Sequence, residues 1–328
     1  MRAMLLRAPD QQLTLSDLPI PEPTQGEVLI RVEVCAVCRT DLHLLDGELP
    51  NIPYPLVPGH QVVGTIAANP SADLPLGMRV GVPWLASTCG RCPYCNSERE
   101  NLCDRARFTG YTQAGGFAEF LLADARYALP VDPHAPAGAI APLLCGGLIG
   151  YRALRMCGDA ERVGLFGFGA AAHILAQVLR HQGRPFYAFT RPGDDAAQAA
   201  AGALGARWVG GSDQPPPEQL DAAIIFAPVG ALVPASLRAV CKGGTVVCGG
   251  IHMTDIPSFP YDILWGERKL VSVANLTRAD GLRFLALAAE IPLETEINLY
   301  DLEDANQALA DLRAGSFTGS AVLEVAVS

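Results

Sequence analysis

Arg162-Val163-Gly164-Leu165-Phe166-Gly167-Phe168-Gly169-Ala170-Ala171-Ala172 is the stretch whose reading decides the fold. Its first half is a short apolar run of the kind that forms a buried strand. Gly167 and Gly169 follow. Ile174, Leu175, Val178 and Leu179 then recur at helical spacing and share one face. Gly167-x-Gly169-x-x-Ala172, set between a strand and a helix, is a dinucleotide-binding pattern. The glycines let backbone approach a pyrophosphate closely, and the helix N-terminus favours the anion. Ala172 is an accepted variant at the third position.

Working outward, the same rhythm continues. A second strand, Phe186–Phe189, precedes an alanine-rich helix near 196–204. Ala222–Phe226 and Thr245–Cys248 are further buried-type strands, with Ser212–Pro217 as a surface connection. Strand and helix in alternation predict an α/β class with a doubly wound parallel sheet of Rossmann type. The first 145 residues differ: Pro/Gly punctuation separates short β-rich runs at Val28–Val34, Val62–Ile66 and Arg79–Val82. The last 50 residues predict helices at Arg278–Ala289 and Glu303–Ala314 and a closing strand, Ala321–Val327. The expected organisation is a β-rich domain at 1–145 plus 273–328 and a dinucleotide-binding domain at 146–272. No repeat of 20–50 residues is visible.

Composition narrows the classes of function. The chain has 328 residues, 24 basic and 34 acidic, for a net charge of −10. An acidic chain with a pI near 5.1 is not built for nucleic acid or anionic lipid. No run approaches the roughly 18 apolar residues of a membrane span. Met1–Arg7 leads straight into Pro9-Asp10 without a secretory core. A cytoplasmic protein is therefore expected. In that reducing setting ten cysteines point to metal binding or chemistry rather than disulfides.

Four of the ten form one motif, Cys89-x2-Cys92-x2-Cys95-x7-Cys103. Short spacings let a single loop wrap a tetrahedral Zn²⁺, and Gly90 and Pro93 suit the turns. Four thiolates leave no open position, so the role is structural. Cys38-Arg39-Thr40-Asp41-Leu42-His43, Pro58-Gly59-His60-Gln61 and Cys145 are less telling singly. A lone Cys is usually an inert buried thiol, and a lone His a satisfied polar group. Together, two thiolates and one imidazole would leave the fourth zinc position open for water or substrate.

In order and spacing these motifs resemble the zinc-dependent alcohol dehydrogenases of the medium-chain dehydrogenase/reductase superfamily, over essentially the whole chain. The resemblance implies a partly open, GroES-like β-barrel catalytic domain beside the Rossmann domain, with the active site in the cleft between them. It implies that Cys38, His60 and Cys145 bind a catalytic zinc, that Cys89, Cys92, Cys95 and Cys103 bind a structural one, and that Asp41 orients His60. It implies that Thr40 takes the substrate proton and that His43 passes it toward solvent. Arg39 matches a pyrophosphate contact, Arg278 another cofactor contact, and Trp84 a position lining an apolar substrate pocket; ordinary core packing is the other reading of Trp84. The activity implied is reversible hydride transfer between a primary or secondary alcohol and a nicotinamide cofactor, with small-molecule alcohols and aldehydes as partners. Prokaryotic relatives are commonly tetramers, so a homo-oligomer, dimer or tetramer, is expected. The chain departs from the family at Gln61, where Glu is usual. Rival readings are a zinc-independent quinone or enoyl reductase of the same superfamily and a non-catalytic, cofactor-sensing zinc protein.

The second Rossmann strand runs into Phe189-Thr190-Arg191, with no carboxylate where a ribose 2′-OH would be read. Thr190 lies at its tip, and Arg191 can pair with a 2′-phosphate. NADP(H) is thus favoured over NAD(H), with Asp194-Asp195 close enough in sequence to offset Arg191. Gly250-Ile251-His252 is expected to pass near the nicotinamide, with no role assigned to His252.

Overall fold

The computed structural model describes residues 1–72, 74–291 and 293–325. The chain divides into two units. One comprises Met1–Cys145 with Thr277–Ser328, and the other Gly146–Leu276. The second boundary thus falls four residues beyond the expected 272/273 division (276 − 272).

The second unit is a six-stranded, all-parallel sheet. Its spatial order is Trp208–Gly211, Phe186–Thr190, Val163–Phe166, Leu220–Ile225, Val240–Cys248, Lys269–Ser272. Numbered along the chain this is 3-2-1-4-5-6, the doubly wound order. Val163–Phe166 and Phe186–Thr190 are buried along their whole length. That is why they read as unbroken apolar runs rather than alternating ones. The strand order reverses beside Val163–Phe166, and the Gly167 turn leaves the carboxyl end of that strand. At the opposite end Arg162 forks onto Asp221, with Nη2–Oδ1 at 2.7 Å and the backbone N–H donating to Oδ2 at 2.8 Å. This charge-assisted pair ties the first and fourth strands together at their starts.

The first unit is organised on the long strand Glu27–Val37. It pairs antiparallel with Val62–Ala68, Phe120–Asp124 and Ser320–Glu324. Val62–Ala68 continues to Arg79–Val82. The core beneath holds Val28, Ile30, Val32, Val62, Phe117, Leu121 and Leu323. Glu27–Val37 runs through Cys38 into the helix Arg39–Leu45, and Val62–Ala68 begins two residues after His60. Neighbouring strands therefore bring Cys38 and His60 to the same end of the sheet. The closing strand is Ser320–Glu324; Val327, to which it was expected to extend, lies outside the described residues. The helix expected from Glu303 begins instead at Ala305, after a 3₁₀ turn at Leu302–Asp304 that buries Leu302. Among the described residues no single helix is long and apolar enough to cross a membrane.

Candidate functional site

Cys38 ends a strand and caps a helix. Its backbone is extended, its Sγ accepts from the Thr40 N–H at 3.3 Å, and Asp41 Oδ2 accepts from the Cys38 N–H at 2.9 Å. This reciprocal cap places the thiol where backbone N–H groups and the helix dipole favour a thiolate. The other oxygen of Asp41 lies 3.4 Å from His60 Nδ1, and His60 Nε2 lies 3.1 Å from Cys38 Sγ. Cys145 completes a group whose three ligand atoms lie within 4.8 Å of one another. His60 and Asp41 are fully buried, at 0% exposure each.

The electrostatics follow from that burial. Contact with Cys145, helped by His60, holds the Cys38 thiol well below its ordinary range although burial opposes this. Cys145, hydrogen-bonded to Cys38 and buried, is pushed well above it. Burial disfavours the imidazolium of His60, but Cys38 and Asp41 outweigh it and raise its pKa well above normal. Burial also raises Asp41, against the pull of His60. The shifts thus favour a Cys38 thiolate beside a protonated His60, with Cys145 as its hydrogen-bonding thiol. Two sulfurs and a nitrogen are the donor types zinc prefers, and Asp41 behind His60 is the partner that fixes a ligand imidazole.

The second cysteine group lies on one loop. Sγ–Sγ separations are 3.9 Å for Cys89–Cys95 and 3.5 Å for Cys92–Cys95. Zn–S bonds of about 2.3 Å at tetrahedral angles put sulfurs about 3.8 Å apart, so the loop matches the ion. Backbone N–H donation from Arg91 holds Cys89 down at about 6. In the other unit, Gly167 adopts φ +90°, and a Cβ there would meet Ala227 at 2.9 Å. Gly169 precedes the helix Ala170–His181, and a Cβ there would meet nothing within 4 Å. That open side lets a phosphate reach the backbone of the helix N-terminus. Ala172 is fully buried.

Residues 24–133 match the alcohol dehydrogenase GroES-like domain. The chain is 43% identical over 318 residues to "Probable alcohol dehydrogenase AdhA" of Mycobacterium tuberculosis (strain CDC 1551 / Oshkosh), covering 93% of this chain and 90% of that protein. The chain belongs to the zinc-type alcohol dehydrogenase family of the medium-chain dehydrogenase/reductase superfamily. It is also 32% identical to an alcohol dehydrogenase of Geobacillus stearothermophilus, over 99% of this chain and 100% of that one. Its fold is similar to a cinnamyl alcohol dehydrogenase (SbCAD4) from Sorghum bicolor, with a TM-score of 0.89, 24% identity and coverage of 100% and 98%.

The remaining family positions fall as follows. Thr40 is buried and Arg39 exposed on the helix that Cys38 caps. His43 lies one turn after Thr40, and its Nδ1 contacts the carboxylate of Glu48. The Trp84 ring meets the edge of His60 at 4.9 Å and stacks with Phe108 and Tyr111 at 5.5 and 5.6 Å. Gln61 is buried, and its Nε2 has no hydrogen-bond partner among the described residues. Thr190 turns inward, donating to the Arg191 carbonyl and accepting from Gln198, while Arg191 is 84% exposed and lies 3.5 Å from Asp194. Arg278 opens the helix Arg278–Glu290 beside Glu100.

Sequence reasoning missed the ledge under His60. Gly115, Gly116 and Phe117 donate backbone hydrogen bonds to Val57, Gly59 and Pro58. Gly59 has φ +94°, and a Cβ there would lie 2.4 Å from the Phe117 ring and 2.8 Å from Cys35 Sγ. The paired glycines at 115–116 were the available signal, but nothing in their local sequence names the turn they clamp. Gly59→Ala is expected to destabilise the first unit by about 2–4 kcal/mol, through strain and overpacking. Urea unfolding measures this, and a midpoint equal to wild type would show that the ledge tolerates the methyl.

Proposed function

We propose that the protein is a zinc-dependent dehydrogenase oxidising primary or secondary alcohols, and reducing the corresponding aldehydes and ketones, with a nicotinamide dinucleotide as hydride acceptor or donor. The observation that carries this reading is the convergence of Cys38, buried His60 and Cys145 with Asp41 behind the imidazole. These three residues would hold one zinc, and Cys89, Cys92, Cys95 and Cys103 a second, structural one. When bound, the catalytic ion supplies Lewis acidity that makes a substrate hydroxyl acidic. The chain's own residues do the rest. Asp41 fixes the ring of His60. Thr40, at the start of the helix, offers Oγ1 to receive the substrate proton. His43 shares the helix face of Thr40 and carries the proton onward, with Glu48 oriented toward its Nδ1. Trp84, Phe108 and Tyr111 form an aromatic wall beside His60 that suits an apolar substrate.

Metal analysis and turnover test this directly. Wild type is expected to hold two zinc ions per chain. Cys38→Ala loses one and all alcohol oxidation, a drop of at least about a thousandfold. Full activity without that zinc would identify a zinc-independent reductase instead.

For the cofactor we favour NADP(H). The exposed guanidinium of Arg191 follows the strand Phe186–Thr190, and Asp194 is held as the cap of the next helix by the Ala197 N–H at 3.1 Å. Arg191→Ala should therefore raise KM for NADP(H) on the order of tenfold and leave KM for NAD(H) nearly unchanged. Equal changes in steady-state kinetics would remove the 2′-phosphate role.

A homo-oligomer, dimer or tetramer, in the cytoplasm completes the proposal. The edge strand Lys269–Ser272 is flanked by the exposed apolar side chains Tyr261 and Trp265, at 71% and 61% exposure. Light scattering should give at least twice the 34.6 kDa chain mass, and Trp265→Asp should lower it; a monomeric wild type refutes this part.

A further inference from the structure

Glu100 is a carboxylate the mechanism leaves unused, and it is only 6% exposed. It sits in the Cys89–Cys103 loop, three residues before Cys103. Its Oε1 accepts the Arg278 backbone N–H at 2.8 Å and lies 3.7 Å from Arg278 Nε. Thus one buried oxygen holds both the backbone and the side chain of the first residue of the helix Arg278–Glu290. The contact spans 178 positions of sequence, so it joins the cysteine loop to a segment that nothing local would place there.

A second path joins the same two parts. The Arg278 guanidinium packs over the Tyr127 ring at 5.6 Å. Tyr127 Oη shares a 2.6 Å hydrogen bond with Thr88 Oγ1, and the Thr88 hydroxyl in turn holds the Cys95 thiol below its usual range. Arg126 also packs on Tyr127, at 5.7 Å. Two guanidiniums on one ring repel. Asp124 neutralises Arg126 at 2.5 Å, which leaves Glu100 as the counter-charge of Arg278. The nearest approach of Glu100 is to Nε, and the Arg278 side chain stays 44% exposed.

We propose that Glu100 is a positioning residue for the dinucleotide: it fixes Arg278, and thereby makes cofactor affinity depend on the metal state of the Cys89–Cys103 loop. The proposal rests on the reading of Arg278 as a cofactor contact given above. Coupling of this kind is reciprocal. If metal in the loop tightens dinucleotide binding, dinucleotide tightens metal retention by the same factor.

The test uses the zinc-loaded full chain and NADPH and NADH fluorescence titrations. Glu100→Gln keeps an acceptor for the Arg278 N–H but removes the charge. It should raise Kd on the order of tenfold. Arg278→Ala should raise Kd at least as much, and the double variant should be no weaker than Arg278→Ala alone. Tyr127→Leu, which removes the ring but no charge, should move Kd the same way by a few-fold. In chelator competition, saturating NADPH should protect the four-cysteine zinc in wild type, and Glu100→Gln should abolish that protection. A general loss of packing would weaken zinc retention with and without cofactor alike. Unchanged or tighter binding in Glu100→Gln, additive effects in the double variant, or protection that survives Glu100→Gln would overturn the proposal. If Arg278→Ala leaves Kd at the wild-type value, the underlying reading of Arg278 fails, and that is visible without any Glu100 variant.

Discussion

The structure depends most on holding a buried carboxylate and imidazole, Asp41 and His60, against the two partly buried thiols of Cys38 and Cys145. A charged carboxylate or imidazolium would be costly to desolvate alone. Asp41 Oδ1 and His60 Nδ1 face each other at 3.4 Å, and neither makes a hydrogen bond in good geometry. Such a cluster persists only if the backbone leaves its members no alternative position. The Cys38 cap sets one side, with Asp41 Oδ2 accepting from the Cys38 N–H. The glycine ledge sets the other, because Val57, Pro58 and Gly59, just before His60, accept three backbone hydrogen bonds from residues 115–117. The long strand Glu27–Val37 and its partner Val62–Ala68 bring these two sides together, so the fold of the first unit and the geometry of the site are one constraint.

Much of this was legible in the chain. The buried strands of the parallel sheet are continuous apolar runs, and the helices between them carry one apolar face, so the period itself gave the class. Cys89, Cys92, Cys95 and Cys103 lie close in sequence, and proximity along a chain survives folding. Cys38, His60 and Cys145 are different. They are 22 and 85 residues apart (60 − 38 and 145 − 60), and no local rule brings them to one point. Only the family pattern made that set readable. The contacts that residue types could not announce are also long-range. Glu100 meets Arg278, the 115–117 ledge meets Gly59, and Phe108 and Tyr111 stack on Trp84. Each depends on tertiary packing rather than on spacing, and each involves residues common on any surface or in any core.

The two cysteine groups show how one ligand chemistry yields two roles. In the Cys89–Cys103 loop the donors come from one short, largely solvent-facing segment. Four thiolates saturate a tetrahedral ion, and what the loop contributes is shape. At Cys38 the donors come from three separate segments and number three. An ion held there keeps a position for something that is not protein. Burial makes that position chemically potent, since low dielectric strengthens every electrostatic effect on whatever occupies it.

Gln61 has its physical meaning in this setting. With Cys38 and Cys145 ionised as ligands and Asp41 ionised behind His60, a divalent ion bound there would leave a local charge of −1. A glutamate next to His60, the family's usual residue, would make it −2 in the same buried volume. The neutral amide therefore lowers the self-repulsion of the site, and an ion held by Cys38, His60 and Cys145 would meet one negative charge fewer. It also withdraws a carboxylate that could displace or re-ligate the ion during turnover. The burial of Gln61, at 3% exposure, is what makes the exchange matter, because on an open surface water would screen a single charge almost completely. With Gln61 in that place, a metal bound at this site would depend on Cys38, His60 and Cys145, with Asp41 behind the imidazole, and on no carboxylate at position 61.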